Sequence, residues 1–564
     1  MVMKMAVARS LFLSLYIAVS ITNAPAQALP DSIVKKINAV FSKWDNIYSP
    51  GCAVGIIRND SLIFAKGYGM ANLEYGVPIT PETIFHMASI SKQFTAFSIV
   101  LLAKQGKLQL DDDIHKYLTW FPDLKEKITI RHLLNHTSGI RDHWQLLAIS
   151  GTRLSDVITQ EHIMKVLASQ QALNSKPGDV YNYSNSNFAL LAEVVRSITG
   201  QTLRQFTDSA IFKPLGMTNT NFHDDCTEIV KNRSYSYSRQ DSTHFANSIL
   251  SYSNSGATSL FTNINDMSKW VINFYDHMVG DQKDIDLLTT KGKLNSGSEI
   301  NYALGIISDK YNGWREFMHG GADAGYRTFL AVFPDKKMGF AVFSNLGDVN
   351  TTNCINQIAR LFITDTSAKK AAETPKQADS STADLKDTLA FKKFTGEYIG
   401  EDGLQVNFRF TGNKLFAVAY GDRMLMVKGE KDTFSLLQNP KLKFAFNIKA
   451  GDTTAFIDIA GDKKLLIKYQ DNKTPSDDVL KPYVGTYYSP ELDCRYKIEL
   501  KDHKLVLTNR KYNDSPLSLA GPEHITVQNW WMSHLLVTRN SKKQITGFQV
   551  NSGRVLHLQF NKIE

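Results

Sequence analysis

Cysteine is scarce in this chain: there are four in 564 residues, Cys52, Cys226, Cys354 and Cys494, and no two share a Cys-x-x-Cys spacing. That excludes a zinc ribbon or a thioredoxin-type redox pair. Buried free thiols are the simplest reading, and an oxidising compartment would allow one disulfide within the first domain. Long apolar runs are missing too. The run Leu11 to Ile21 is shorter than the roughly 20 residues a membrane-crossing helix needs. With Lys4 and Arg9 before it and Ala24-Pro25-Ala26 after it, the run reads as a cleavable secretory signal over residues 1–26. The expectation is a periplasmic or secreted protein with no membrane attachment after cleavage. No block of like charge appears either. The net charge of +9 is spread among acids, so a nucleic acid is not an expected partner.

What is present is ordinary globular composition, 43% hydrophobic and 21% charged, in a chain too long for one core. Residues 30–364 mix strand-like runs such as Ala53 to Ile57 with amphipathic stretches such as Phe188 to Ile198, which stops at Gly200. This predicts an α+β domain. Residues 365–388, rich in Ala, Lys, Ser, Thr and acids, read as a flexible linker. Beyond it, short alternating runs are punctuated by Gly-Asp, Gly-Asn and Asp-Asn pairs, which are hairpin signals. Phe394-Thr395-Gly396-Glu397-Tyr398 recurs as Tyr483-Val484-Gly485-Thr486-Tyr487, and Lys414-Leu415 as Lys504-Leu505. Two small antiparallel β-barrels, 389–475 and 476–564, account for the repeat.

Three short motifs carry chemistry. A serine hydroxyl needs a base within hydrogen-bond reach and donors for the oxyanion it creates. Ser89-Ile90-Ser91-Lys92 opens an apolar helical run, and residues i and i+3 share a helix face, so Lys92 can touch Ser89. The same spacing at Ser32/Lys35 and Ser367/Lys370 lacks that context. Tyr183-Ser184-Asn185 follows the turn Lys176-Pro177-Gly178-Asp179 and precedes a helix expected from near Phe188; its phenol can share protons with Ser89. A second copy, Tyr252-Ser253-Asn254, has no helix after it. His319-Gly320-Gly321-Ala322 leads into strand-like Phe329 to Phe333, and its glycines would let a substrate lie along a strand edge.

The order Ser-x-x-Lys, Tyr-x-Asn, His-x-Gly resembles the penicillin-recognising serine hydrolases, which include class C β-lactamases, serine DD-peptidases and D-aminopeptidases. Leu133 to Gly139, Pro214 to Met217, and Gly256 running to Asp266 and Trp270 extend the resemblance over about residues 35–360. It implies a β-lactamase-like domain, an antiparallel sheet flanked by helices plus a helical subdomain, with two C-terminal barrels as in D-aminopeptidases. It also implies an acyl-enzyme on Ser89 with Lys92 and Tyr183 jointly moving its proton. Asn185 would orient Lys92 and the substrate amide, and the N–H groups of Ser89 and Ala322 would form the oxyanion hole. His319, Gly320 and Gly321 would line the substrate. No metal or other cofactor is implied.

Many relatives carry Lys where His319 stands. A mostly neutral histidine weakens the case for substrates with a C-terminal carboxylate and leaves room for esters, amides or peptides read by their N-terminus. The expected partner is thus a small peptide, ester or β-lactam, with D-amino-acid peptides first and a homodimer open. The alternatives are a β-lactamase, or a non-catalytic protein that only binds penicillin or peptidoglycan fragments. Other features read as structural: His136 as packing or a turn cap, Asp111-Asp112-Asp113 as a capping loop, and Trp530-Trp531 as barrel core or rim.

Overall fold

The computed structural model describes residues 29–364 and 391–564, the latter apart from 401–402, 413, 420–421, 438–441, 450–451, 460–461 and 470–474. The expected signal, the linker and the Ser367/Lys370 pair lie outside the described residues.

The elements that build the first domain are α1 (Asp31–Phe41), β1 (Cys52–Arg58), β2 (Ser61–Tyr68), α2 (Ser91–Lys104), α3 (Asn185–Thr199), α4 (Ile264–Asp276), β3 (Ile307–Tyr311), β4 (Trp314–Asp323), β5 (Tyr326–Phe333), β6 (Met338–Ser344) and α5 (Thr351–Ala359). Six strands form one antiparallel sheet in the order β3-β4-β5-β6-β1-β2. Alternation along each strand splits the core in two. Val54, Ile56, Ala331, Phe333, Phe340 and Val342 pack with α1 and α5. Ala53, Ile57, Leu330, Val332, Ala341 and Phe343 join the larger cluster with α2 and α4.

Helix α3 begins at Asn185, three residues before the sequence-based expectation, and closes on Gly200 in the left-handed conformation (φ 72°). Ser184 stands at its N-cap, so the apolar periodicity starts later than the helix does.

Both barrels are closed and eight-stranded, the first from Gly396–Gly400 to Asp462–Tyr469 and the second from Gly485–Ser489 to Val555–Lys562. The sequence repeat is a structural one. Tyr398 pairs in register with Lys468 of the closing strand, and Tyr487 with Lys562. Each buried tyrosine donates back four residues, Tyr398 Oη to Phe394 O (3.2 Å) and Tyr487 Oη to Tyr483 O (2.6 Å). Gly396 (φ 132°) and Gly485 (φ 156°) recur because both take a positive φ that residues with a Cβ rarely adopt, and at Gly485 a Cβ would also stand 2.4 Å from Glu564 O.

The cysteines are all free; Cys52, Cys354 and Cys494 are buried and Cys226 is half-buried. Asp113 caps a short 3-10 turn by accepting from His115 N, and Asp111 pairs with Arg131 at 2.8 Å, so the acidic run organises a loop.

Candidate active site

Ser89 sits on a 3-10 turn, Ala88–Ile90, that feeds α2. Ala88 takes a positive φ of 48°, unusual for a residue with a Cβ. The turn is pinned by His86 Nδ1 accepting from Ala88 N (3.2 Å) and by Ser91 Oγ donating to Ala88 O (2.6 Å). The result presents a partly exposed hydroxyl just ahead of a helix whose first turn is buried.

Lys92, fully buried, donates from Nζ to Ser89 Oγ (3.1 Å), Asn185 Oδ1 (2.9 Å) and Ala257 O (2.8 Å), which uses all three ammonium donors. Burial, then the nearby charge of Arg554, pulls its pKa down to about 7. Tyr183 Oη donates to the same Ser89 Oγ at 2.9 Å, and burial pushes the phenol above its ordinary range. Asn185 owes its place to the helix start. Its N–H and its Nδ2 both donate to Asp142 Oδ2, at 2.7 and 2.8 Å. Ser32, by contrast, is an exposed residue of α1 far from this group in sequence.

His319 lies on β4, where the sheet partner β3 stops at the pair Ile307–Met318, so from His319 to Asp323 no strand among the described residues pairs with that edge. Gly321 is required by close approach: a Cβ there would stand 2.2 Å from Thr328 Oγ1 and 2.4 Å from Met87 O. Ala322 is exposed beside it.

Burial, then Lys92, lowers His319 to about 4, so its ring is neutral at pH 7. Its tautomer follows from its neighbours. Nδ1 lies 2.6 Å from the acceptor-only Gly320 O and must donate; Nε2 therefore accepts from Tyr302 Oη at 3.0 Å. Tyr302 then accepts from His136 Nε2 (3.2 Å), and His136 Nδ1 accepts from Ser184 N (3.2 Å). His136, neutral through burial, also packs 4.2 Å from the Tyr183 ring. The family stretch that contains it therefore serves the site directly, beyond a turn cap. Tyr302 belongs to no motif, and its only sequence signal is lying near His319.

All eight expected residues converge on one region: Ser89, Tyr183, Asn185, His319, Gly320, Gly321 and Ala322 line a cleft of about 680 Å³, and Lys92 is buried against Ser89. Sequence reasoning missed three other contributors. Tyr252, from the second Tyr-x-Asn copy, forms part of the wall. Trp530, 52% exposed, reaches the cleft from the second barrel, while Trp531 stacks on Tyr512 at 4.4 Å between centroids. Arg554, in the turn between the last two strands of that barrel, lies 4.8 Å over the Tyr183 ring and 3.6 Å from Asp142. Burial alone would raise Asp142, but Arg554 and the donors from Asn185 hold it below the usual carboxylate range.

The arrangement provides a hydroxyl between two proton-bearing groups, a lysine near neutrality and an open strand edge, which is what acyl transfer through a serine requires. Residues 38–363 match the beta-lactamase family. The chain is 26% identical over 324 residues to a D-aminopeptidase of Gluconobacter oxydans, covering 56% of this chain and 60% of that one. It is 29% identical over 286 residues to a D-aminopeptidase of Brucella anthropi, covering 49% and 52%. The matched region thus spans about half of the length of these curated relatives. The octameric penicillin-binding protein homologue from Pyrococcus abyssi shares the fold, with a TM-score of 0.51 and 23% identity over 77% of this chain and 98% of that one. With its sheet, its flanking helices and this match across the whole first domain, the chain belongs to the beta-lactamase family.

Proposed function

We propose that the protein is an exported serine hydrolase that forms an acyl-enzyme on Ser89 and acts on small peptides or amides, with D-amino-acid-containing peptides as the first candidates. The observation that carries this reading is the double hydrogen bond on Ser89 Oγ, from Lys92 Nζ and Tyr183 Oη. With Lys92 near 7, a large share of it is neutral at pH 7, and its lone pair then accepts the Ser89 proton as the oxygen attacks the carbonyl. Tyr183, held protonated, hands its proton to the departing nitrogen and recovers one from Lys92. The N–H groups of Ser89 and Ala322 receive the oxyanion, a contribution of roughly a hundredfold or more in rate. Water then attacks the ester by the same route in reverse. The substrate class draws on the two relatives named D-aminopeptidase, and export on the apolar run from Leu11 to Ile21.

Intact mass after exposure to a fluorophosphonate and to a penicillin tests the mechanism. The expected result is an adduct on Ser89 that is absent in Ser89→Ala, with turnover in that variant falling by about 10⁴-fold or more. No adduct from either reagent would remove the acyl-enzyme. A panel of D-amino-acid p-nitroanilides, esters and nitrocefin then ranks peptidase, esterase and β-lactamase activity, and nitrocefin as best substrate would overturn the peptide assignment.

A further inference from the structure

The third motif holds a neutral histidine, so the sequence suggested a cleft without a fixed positive charge. The structure supplies one from another domain. The turn carrying Arg554 is clamped from both sides by the hydrolase domain. Gln145 Oε1 accepts from Arg554 N (2.9 Å), and Gln145 Nε2 donates to Ser552 O (2.6 Å) and Trp531 O (2.9 Å). Asn174 Nδ2 donates to Arg554 O (2.9 Å), and its Oδ1 accepts from Leu556 N (2.8 Å). Asp142 N also donates to Arg554 O at 3.2 Å. The backbone is therefore fixed on every side while the side chain stays 47% exposed.

The guanidinium itself is uncommitted. Its contacts are the Asp142 carboxylate at 3.6 Å, beyond hydrogen-bond length, and the face of Tyr183. None of its five N–H donors makes a hydrogen bond within the described residues. The other arginine in the cleft, Arg327, is held back against its own strand, with Nη1 donating to Ala324 O (3.0 Å) and Tyr326 O (2.7 Å). Asp323, whose carboxyl also lines the cleft, accepts from Thr258 Oγ1 at 2.9 Å. Arg554 stands over the face of the Tyr183 ring, whose hydroxyl touches Ser89 Oγ and, in the mechanism proposed above, protonates the departing nitrogen. A residue spans about 3.5 Å, so one or two residues beyond the scissile bond bring a C-terminal carboxylate to it. A planar guanidinium with free forks is the side chain suited to bind a carboxylate in two-point fashion. The exposed Trp530, which lines the same cleft, offers an apolar face for the side chain of that residue.

We propose that Arg554 is the cleft's carboxylate anchor, so that the second barrel selects peptides or depsipeptides whose leaving group ends in a free carboxylate. This inference rests on the acyl-enzyme reading at Ser89.

The test uses the full chain and matched N-acyl D-peptides that differ only in a C-terminal acid or amide, each measured as substrate and as competitor of fluorophosphonate labelling at Ser89. The wild type should favour the acid, and Arg554→Ala should shrink the acid-to-amide ratio of kcat/KM by about ten- to a hundredfold. Arg554→Lys should retain part of the ratio, which a merely structural role would not predict. A wild type that labels at Ser89 yet treats acid and amide alike, or an unchanged ratio in Arg554→Ala, overturns the anchor. So does a wild type whose labelling no acid slows. Failure of Ser89 to label at all would instead bring down the acyl-enzyme reading.

Discussion

In the second barrel, buried residues such as Tyr487, Leu505 and Phe560 belong to the same continuous apolar cluster as the core of the hydrolase domain, whereas the first barrel keeps a separate core around Tyr398, Phe408 and Phe446. The polar contacts divide in the same way. Arg141, wholly buried, pairs with Glu491 of the second barrel at 2.6 Å and donates to Leu556 O, and Tyr496 Oη reaches Ile149 O at 2.9 Å. The first barrel meets the second where Gln405 Nε2 donates to Ser533 O and Gly403 passes close to Asn551 O. Two copies of one duplicated fold have thus taken different positions. One has become a wall of the cleft, and the other is built onto that wall.

The contrast breaks most visibly at the buried ion pair. Glu491→Ala strands the Arg141 charge where burial already disfavours it, and should cost about 3–5 kcal/mol in denaturant unfolding. The matching test in the first barrel is Asp432→Ala, whose pair with Lys393 is nearly half exposed; it should cost at most about 1 kcal/mol. Equal costs would erase the distinction. A smaller effect separates the repeated tyrosines. Tyr398→Phe and Tyr487→Phe each remove one buried hydrogen bond, worth about 1 kcal/mol. Only Tyr487→Phe should lower the unfolding transition that also abolishes Ser89 labelling, because only its core is shared. The smallest expected effect is on pH. Labelling of Ser89 should rise as pH increases through about 7, as Lys92 loses its proton. Because Arg554 helps to lower that pKa, Arg554→Ala should move the midpoint upward, and Lys414→Ala in the first barrel should leave it in place. A downward shift would contradict the electrostatic picture.

Local pattern made much of this molecule legible. The i,i+3 spacing of Ser89 and Lys92, the helix stop at Gly200 and the Gly-x-Tyr repeat each depend on neighbours in the chain, and each stands where the sequence places it. Asn185 was found by motif, but its position at the first turn of α3 was not, because Asp142 rather than apolar periodicity determines where the helix begins. Arg554 was out of reach for a stronger reason. It lies in no motif, more than two hundred residues beyond His319, and gains meaning only when barrel closure carries its turn to the clamp of Gln145 and Asn174. Trp530 reads from sequence only as barrel core or rim for the same cause, since an aromatic pair in a barrel looks alike whether it faces a core or a neighbouring domain.

The row of neutral partners from Ser184 through His136, Tyr302 and His319 to Gly320 has a direction: each member donates one way and accepts the other. Reversing one member would require reversing them all, and the two ends are a backbone donor and a backbone acceptor that cannot reverse. The row therefore works as a rigid tie rod. It joins the edge of β4 at Gly320 to the residue just ahead of α3, and so to Asn185, whose Oδ1 accepts from Lys92 Nζ.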